Sequence, residues 1–299
     1  MPASPLSLRA PVPRESPFRR STASATPRTP DPRGSPHSAL EEVSIIGGHG
    51  RDGVPDAIDR LDLRMGDVVS VVGPTGSGKT TLINDIELFA DADTPTGRRI
   101  LIDGRRPPDE YRDDPARNPI ALITQHTTFL SDLPVDEFLH THARIRRASA
   151  GEIEAAISQT LAFANQLTGE PISLSSRMTE LSGGQTRSLL IADATIICDT
   201  PIVLLDEVEN AGINRSRALE LLRAYRKIFI FVTHDPRIAL LSDYRLVLKD
   251  GRIAQVLHTD ESERRLAPIV ARLDDALAEL RDRIRSGERI DRFETGGLA

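Results

Sequence analysis

Only one cysteine, Cys198, stands among the 299 residues, so no intrachain disulfide can form. It precedes an apolar run and reads as a packed thiol rather than a redox group, which suits a reducing cytoplasm. Tryptophan is absent, and no Phe, Tyr or Trp occurs between Phe18 and Phe89. Long apolar runs are also missing. Stretches such as 189–192 and 202–205 fall far short of the roughly 18 residues that a membrane-spanning helix needs. The N-terminus carries Arg9, Arg14, Arg19 and Arg20 but no apolar core of secretory type. A net charge of -6 and a pI near 5.7 argue against a generally basic surface, so no sequence-specific nucleic-acid partner is expected.

What is present divides the chain. Residues 1–40 hold nine of the 21 prolines and six arginines against two acids, a composition that cannot bury enough apolar surface to order itself. They read as a disordered tail or as sequence upstream of a later translation start. From Val43 to about residue 260, short β-branched runs alternate with helical stretches, the pattern of an α/β unit with a mostly parallel sheet. The expected strands are 68–72, 99–102, 120–124, 202–206, 228–233 and 245–248. Between Pro134 and Thr179 strand signals fade into helices at 134–146 and 151–165, with Pro134 and Gly151 at the starts. A last helix is expected over 268–285, with Pro268 in its first turn and apolar residues at Val270, Leu273, Leu277, Leu280 and Ile284. It would pack back on its own domain or form a dimer coil.

The strand at 68–72 leads directly into GPTGSGKTT, residues 73–81, which satisfies G-x-x-x-x-G-K-[ST] through Gly73, Gly78, Lys79 and Thr80. Glycines let successive backbone N–H groups turn inward on phosphate oxygens, and the following helix adds its positive end. Lys79 supplies a point charge for the outer phosphates, and the Thr80 hydroxyl can hold Mg²⁺. Another glycine-rich stretch, GGHGRDG at 47–53, reads as a flexible loop rather than a second cradle.

Further chemistry collects where strands end. The run PIVLLDE at 201–207 places Asp206 at the carboxyl end of a buried strand to hold Mg²⁺, and Glu207 beside it as a base or water-positioning carboxylate. Gln125 follows IALIT, and His234 follows IFIFVT, so both fall on the same sheet edge. At 181–185 stands LSGGQ, a glycine pair at the mouth of a helix with no phosphate-binding partner nearby in the sequence.

Taken in order, GPTGSGKT, Gln125, LSGGQ, VLLDE and VTHD resemble the Walker A, Q-loop, signature, Walker B and switch-histidine motifs of the ATP-binding cassette (ABC) ATPases. The resemblance covers about residues 43–258. It implies a P-loop NTPase fold with a RecA-like core, an antiparallel β segment and an inserted helical subdomain at about 126–182, within a domain spanning 41–260 and followed by a C-terminal helix and tail at 261–299. It implies Mg²⁺-dependent ATP hydrolysis. Gly73, Pro74, Thr75, Gly76, Ser77, Gly78, Lys79, Thr80 and Thr81 would hold the phosphates, and Thr80, Gln125 and Asp206 would arrange Mg²⁺. Glu207 would activate water, His234 would contact the γ-phosphate, and Ser182, Gly183, Gly184 and Gln185 would close over the ATP of a second cassette. Two cassettes would pair head to tail, a homodimer being the simplest assembly and a heterodimer the other.

Two departures from the family pattern stand out. With no aromatic residue available, Ile46 or His49 is expected to cover the base. The run VENAGIN at 208–214 puts Asn214 where the family's D-loop aspartate is expected. The resemblance implies the ATPase subunit of an ABC transporter, in the cytoplasm or peripheral at the inner membrane face, with TTFLSDLPVDEFL docking on integral membrane permease subunits. The alternative is a soluble ABC ATPase that assembles or remodels a protein or metallocofactor complex. No long coiled coil separates the motifs, as chromosome-maintenance relatives require, and a single cassette disfavours the tandem translation type.

Overall fold

The computed structural model describes residues 40–114, 117–129, 131–146, 150–207 and 215–290. The expected N-terminal tail and the VENAGIN departure at Asn214 lie outside these residues, apart from Leu40. The elements run β1 (Glu42–Ile46), β2 (Arg60–Arg64), β3 (Val68–Val72), α1 (Lys79–Glu87), β4 (Arg99–Ile102), α2 (Glu110–Asp113), β5 (Ile120–Ile123), α3 (Val135–Arg146), α4 (Ala150–Leu167), α5 (Gly183–Ile196), β6 (Ile202–Asp206), α6 (Arg215–Arg223), β7 (Ile228–Val232), α7 (Pro236–Leu241), β8 (Tyr244–Lys249), β9 (Arg252–His258) and α8 (Glu261–Arg285).

Two sheets form. The larger has the order β5-β6-β7-β3-β8-β9, parallel except for β9, and the smaller is antiparallel with the order β2-β1-β4. β7 and all of β6 but its terminal Asp206 are apolar because both of their faces are covered. Val203, Leu205, Phe229 and Phe231 point into a core shared with α3, α4, α5 and α6. Their neighbours Ile202, Leu204, Ile228, Ile230 and Val232 join the opposite core with Val43, Ile45 and Ile100 of the antiparallel sheet and Leu82, Ile83 and Ile86 of α1. The period-two alternation thus stitches two hydrophobic layers together through one sheet.

All six expected strands are present. β1, β2 and β9 were not predicted individually: β2 reads RLDLR and β9 reads RIAQVLH, and both mix charged or polar residues with apolar ones. The expected start of the last helix is corrected. α8 begins at Glu261, where the Asp260 carboxylate accepts the Glu263 N–H at 2.8 Å as an N-cap, and Pro268 lies inside the helix. α8 packs against α7 through Arg237, which bonds Asp275 at 2.8 Å, while Leu266, Ile269, Leu273 and Leu277 stay exposed.

The 47–53 loop is close-packed at its base, while residues 51–53 at its tip are exposed. A Cβ on Gly47 would overlap the Ile58 carbonyl oxygen, and one on Gly48 the Thr96 carbonyl oxygen. Beneath the loop, fully buried Arg98 donates to both oxygens of Asp56 at 2.8 Å, to Asp85 at 3.1 Å and to the Gly251 carbonyl at 2.8 Å. Asp56 further accepts the Gly48 and Ile253 amides at 2.8 and 2.6 Å. One guanidinium therefore ties the loop, α1 and the β8–β9 turn into a single block.

Candidate functional site

The order β5-β6-β7-β3 sets four strand ends side by side, and each carries a residue expected at the site. The phosphate loop leaves β3, Asp206 ends β6, His234 lies two residues beyond β7, and Gln125 two beyond β5. Leu205 and Asp206 are level with Phe231 and Val232 across the parallel ladder, so the acids and the histidine share one edge.

Gly73, Gly76 and Gly78 have φ of 152°, 78° and 98°, values that side chains disfavour. A Cβ on Gly78 would lie 2.8 Å from Gly251 Cα, so the loop is pressed against the β8–β9 turn that Arg98 anchors. Gly251 N–H donates to the Ser77 carbonyl at 2.9 Å. Lys79 is buried, and its ammonium donates to the carbonyls of Gly73 and Pro74 at 3.0 and 3.2 Å, holding it over the curled loop. The Ser77 hydroxyl oxygen is buried without a hydrogen-bond partner. Beside the loop lies a cavity of about 190 Å³, walled in part by Gly76, Lys79, Thr80, Thr81, Arg51 and Glu207. A curl of glycines, a fixed ammonium and an unpaired hydroxyl fit a polyphosphate. The Thr80 hydroxyl on the cavity wall and Asp206 at the neighbouring strand end are hard oxygen donors that suit Mg²⁺.

Glu207 adopts φ 50°, a left-handed conformation uncommon outside glycine, and its N–H donates to the Val232 carbonyl at 3.0 Å. The turn aims its carboxylate into the cavity, 3.7 Å from His234 Nε2, with both side chains partly open to solvent.

The LSGGQ stretch forms the start of α5. Ser182 is the N-cap: its hydroxyl accepts the Gln185 N–H at 3.3 Å, and the Gln185 side-chain oxygen accepts the Ser182 N–H at 2.9 Å. Gln185 also donates to the Pro171 carbonyl at 3.2 Å, which holds the segment before the signature. Ser182 and Gly183 are exposed, and no residue of 182–185 lines the cavity beside the phosphate loop.

Two residues at the site were not foreseen. Arg51 lines the cavity and donates to the Gly76 carbonyl at 3.0 Å, whereas Ile46 and His49, the expected base contacts, do not line it. The missing aromatic residue already marked this segment as unusual. Arg187 donates to the Gly183 carbonyl at 3.2 Å and to the Gln125 carbonyl at 2.6 Å, linking the signature to the segment after β5. Gln125 lies 62 positions away, and nothing local in the sequence signals that bond.

Comparison with known proteins bears on the family and the fold. The family model for ABC transporters matches residues 58–210. An uncharacterized ABC transporter ATP-binding protein of Methanocaldococcus jannaschii is 45% identical over 84% of this chain and 95% of its own length. An ATP-dependent lipid A-core flippase of Cupriavidus pinatubonensis is 32% identical over 68% of this chain, which spans only 35% of the flippase. A dimeric post-hydrolysis ATP-binding cassette bound to ADP and Pi superposes with a TM-score of 0.54 at 23% identity, over 73% of this chain and 99% of that one.

Proposed function

The chain belongs to the ABC transporter family and is an ATPase of it, and we propose that two copies associate head to tail, each ATP lying between the phosphate loop of one copy and Ser182–Gln185 of the other. One observation carries this reading. The exposed, N-capped helix start at Ser182–Gly183 is built as an anion site, yet it lines no part of the cavity at its own chain's phosphate loop. A partner's nucleotide supplies the missing anion. The likeness to a dimeric cassette in fold supports the same arrangement.

Each residue then has a task set by its position. Lys79, Ser77 and the inward-turned amides of residues 76–81 bind the β- and γ-phosphates. Thr80, Gln125 and Asp206 would hold Mg²⁺, which when bound would supply positive charge against the charge that builds on the transferred phosphoryl group. Glu207 orients a water and accepts its proton, and His234, 3.7 Å away, steadies that carboxylate and contacts the γ-phosphate. Closure of the second copy's helix start over the phosphates excludes bulk water and completes the site, so hydrolysis depends on dimer closure.

Arg187 joins this step to conformational work. Its guanidinium spans the Gly183 and Gln125 carbonyls, so movement of the signature against a nucleotide pulls on the Gln125 segment. That segment reaches α3 through Phe129, whose ring meets Phe138 at 5.0 Å. We assign residues 125–139 as the surface that engages membrane-spanning permease subunits, which holds the ATPase at the inner membrane face. No helix among the described residues is long and apolar enough to cross a membrane. Affinity purification of the tagged chain from detergent-solubilised membranes of its own organism tests this. Recovery of a multi-span protein that Phe129→Ala weakens is expected, and recovery of soluble partners alone would contradict it.

A further inference from the structure

A second cluster of chemistry-bearing side chains lies at the other end of α5, eleven residues or roughly 16 Å beyond Ser182 along the helix. There Asp193 of α5 is buried, with His142 of α3 and Cys198, just past the end of α5, placed around it. His142 Nδ1 stands 2.9 Å from Asp193 Oδ2, and Cys198 Sγ stands 3.6 Å from the same oxygen. The three ligand atoms all lie within 4.8 Å of one another. The other carboxylate oxygen, Oδ1, is buried with no hydrogen-bond partner, although the Asp193 side chain is only 7% exposed. Two groups thus converge on one oxygen while its twin is left unsatisfied, an arrangement that hydrogen bonding alone does not account for.

We propose that His142, Asp193 and Cys198 bind one divalent transition-metal ion of the zinc class. An imidazole nitrogen, a carboxylate oxygen and a thiolate sulfur are the donor types of zinc sites, and three protein ligands leave a fourth position for water. Hard cations such as Mg²⁺ and Ca²⁺ have no use for the sulfur. Ligand atoms at zinc distances sit roughly 3.3–3.7 Å apart around a tetrahedral ion. The observed separations, 2.9 and 3.6 Å to the Asp193 oxygen and at most 4.8 Å for the third pair, lie near that spacing. The His142 side chain is 40% exposed, which gives an ion a path in from solvent.

The site's position gives it a consequence for the ATPase. The ion joins α3 to the helix whose opposite end carries the signature. The His142 ring lies 4.9 Å from Phe138, which in turn meets Phe129 in the segment following Gln125. Metal binding therefore stiffens the connection between that segment and the signature helix.

Cobalt(II) titration of the metal-free full-length chain tests the site. Because Cys198 is the only cysteine, any thiolate-to-cobalt charge-transfer band reports this one position. Excess Mg²⁺ is included to occupy the oxygen ligands of the nucleotide site. The band should grow to one equivalent of Co²⁺, vanish when Zn²⁺ is added, and be absent in both Cys198→Ser and His142→Gln. His142→Gln alters a partly exposed side chain and keeps the fold testable should Cys198→Ser disturb packing. Absence of the band in the native chain, or its full retention in His142→Gln, would overturn the assignment.

Discussion

Glu207 sits in a left-handed conformation that costs of order 1 kcal/mol, and the reward is a carboxylate turned from the strand end into the cavity. Glu207→Gln keeps the shape and removes the proton acceptor. ATP turnover should fall by about 10²–10⁴-fold while nucleotide binding persists, measured by phosphate release and by equilibrium binding. Asp56 is the opposite kind of residue, absent from the cavity wall and committed to stability. Burial alone would raise its carboxyl, but Arg98 and the Gly48 and Ile253 amides outweigh that and hold it below the ordinary carboxylate range. Its contribution is therefore fully present above about pH 4 and is lost as the pH falls through the lowered value. Asp56→Asn should cost about 3–5 kcal/mol at pH 7 in denaturant unfolding, and should flatten the acid limb of the stability profile.

Elements explain why some features could be read from the sequence and others could not. The phosphate loop was legible because its chemistry demands glycine and lysine at fixed spacing, and β7 and β6 up to Asp206 because burial on both faces makes them continuously apolar. β2 and β9 were harder, since strands with mixed burial carry arginine and aspartate among their leucines and isoleucines. Pro268 marked a helix start only by local preference, which the Asp260 cap overrode by starting the helix at Glu261, seven residues earlier. Arg51, Arg98 and Arg187 were invisible as site builders because their partners come from distant parts of the chain. At the scale of α5, Arg187→Ala should leave the helix folded but disconnect Gly183 from Gln125. ATP binding should then be retained with hydrolysis lowered several-fold, and a variant with native turnover would remove Arg187 from the coupling path. Ser182→Ala should cost about 1 kcal/mol of helix stability through loss of the cap.

For the whole molecule, the proposed unit of function is two chains, because the cavity at the phosphate loop and the exposed, capped start of α5 are separate places on one chain. Turnover per chain should therefore rise with protein concentration until dimers saturate. The most direct measurement is sedimentation velocity of Glu207→Gln with saturating ATP, alone and combined with Gly183→Val. The single variant should sediment as a dimer with ATP and as a monomer without it. The double variant should remain monomeric while still binding ATP at its own phosphate loop. A Glu207→Gln chain that stays monomeric when saturated with ATP, at concentrations where the native chain hydrolyses it, would contradict a nucleotide site shared between two molecules.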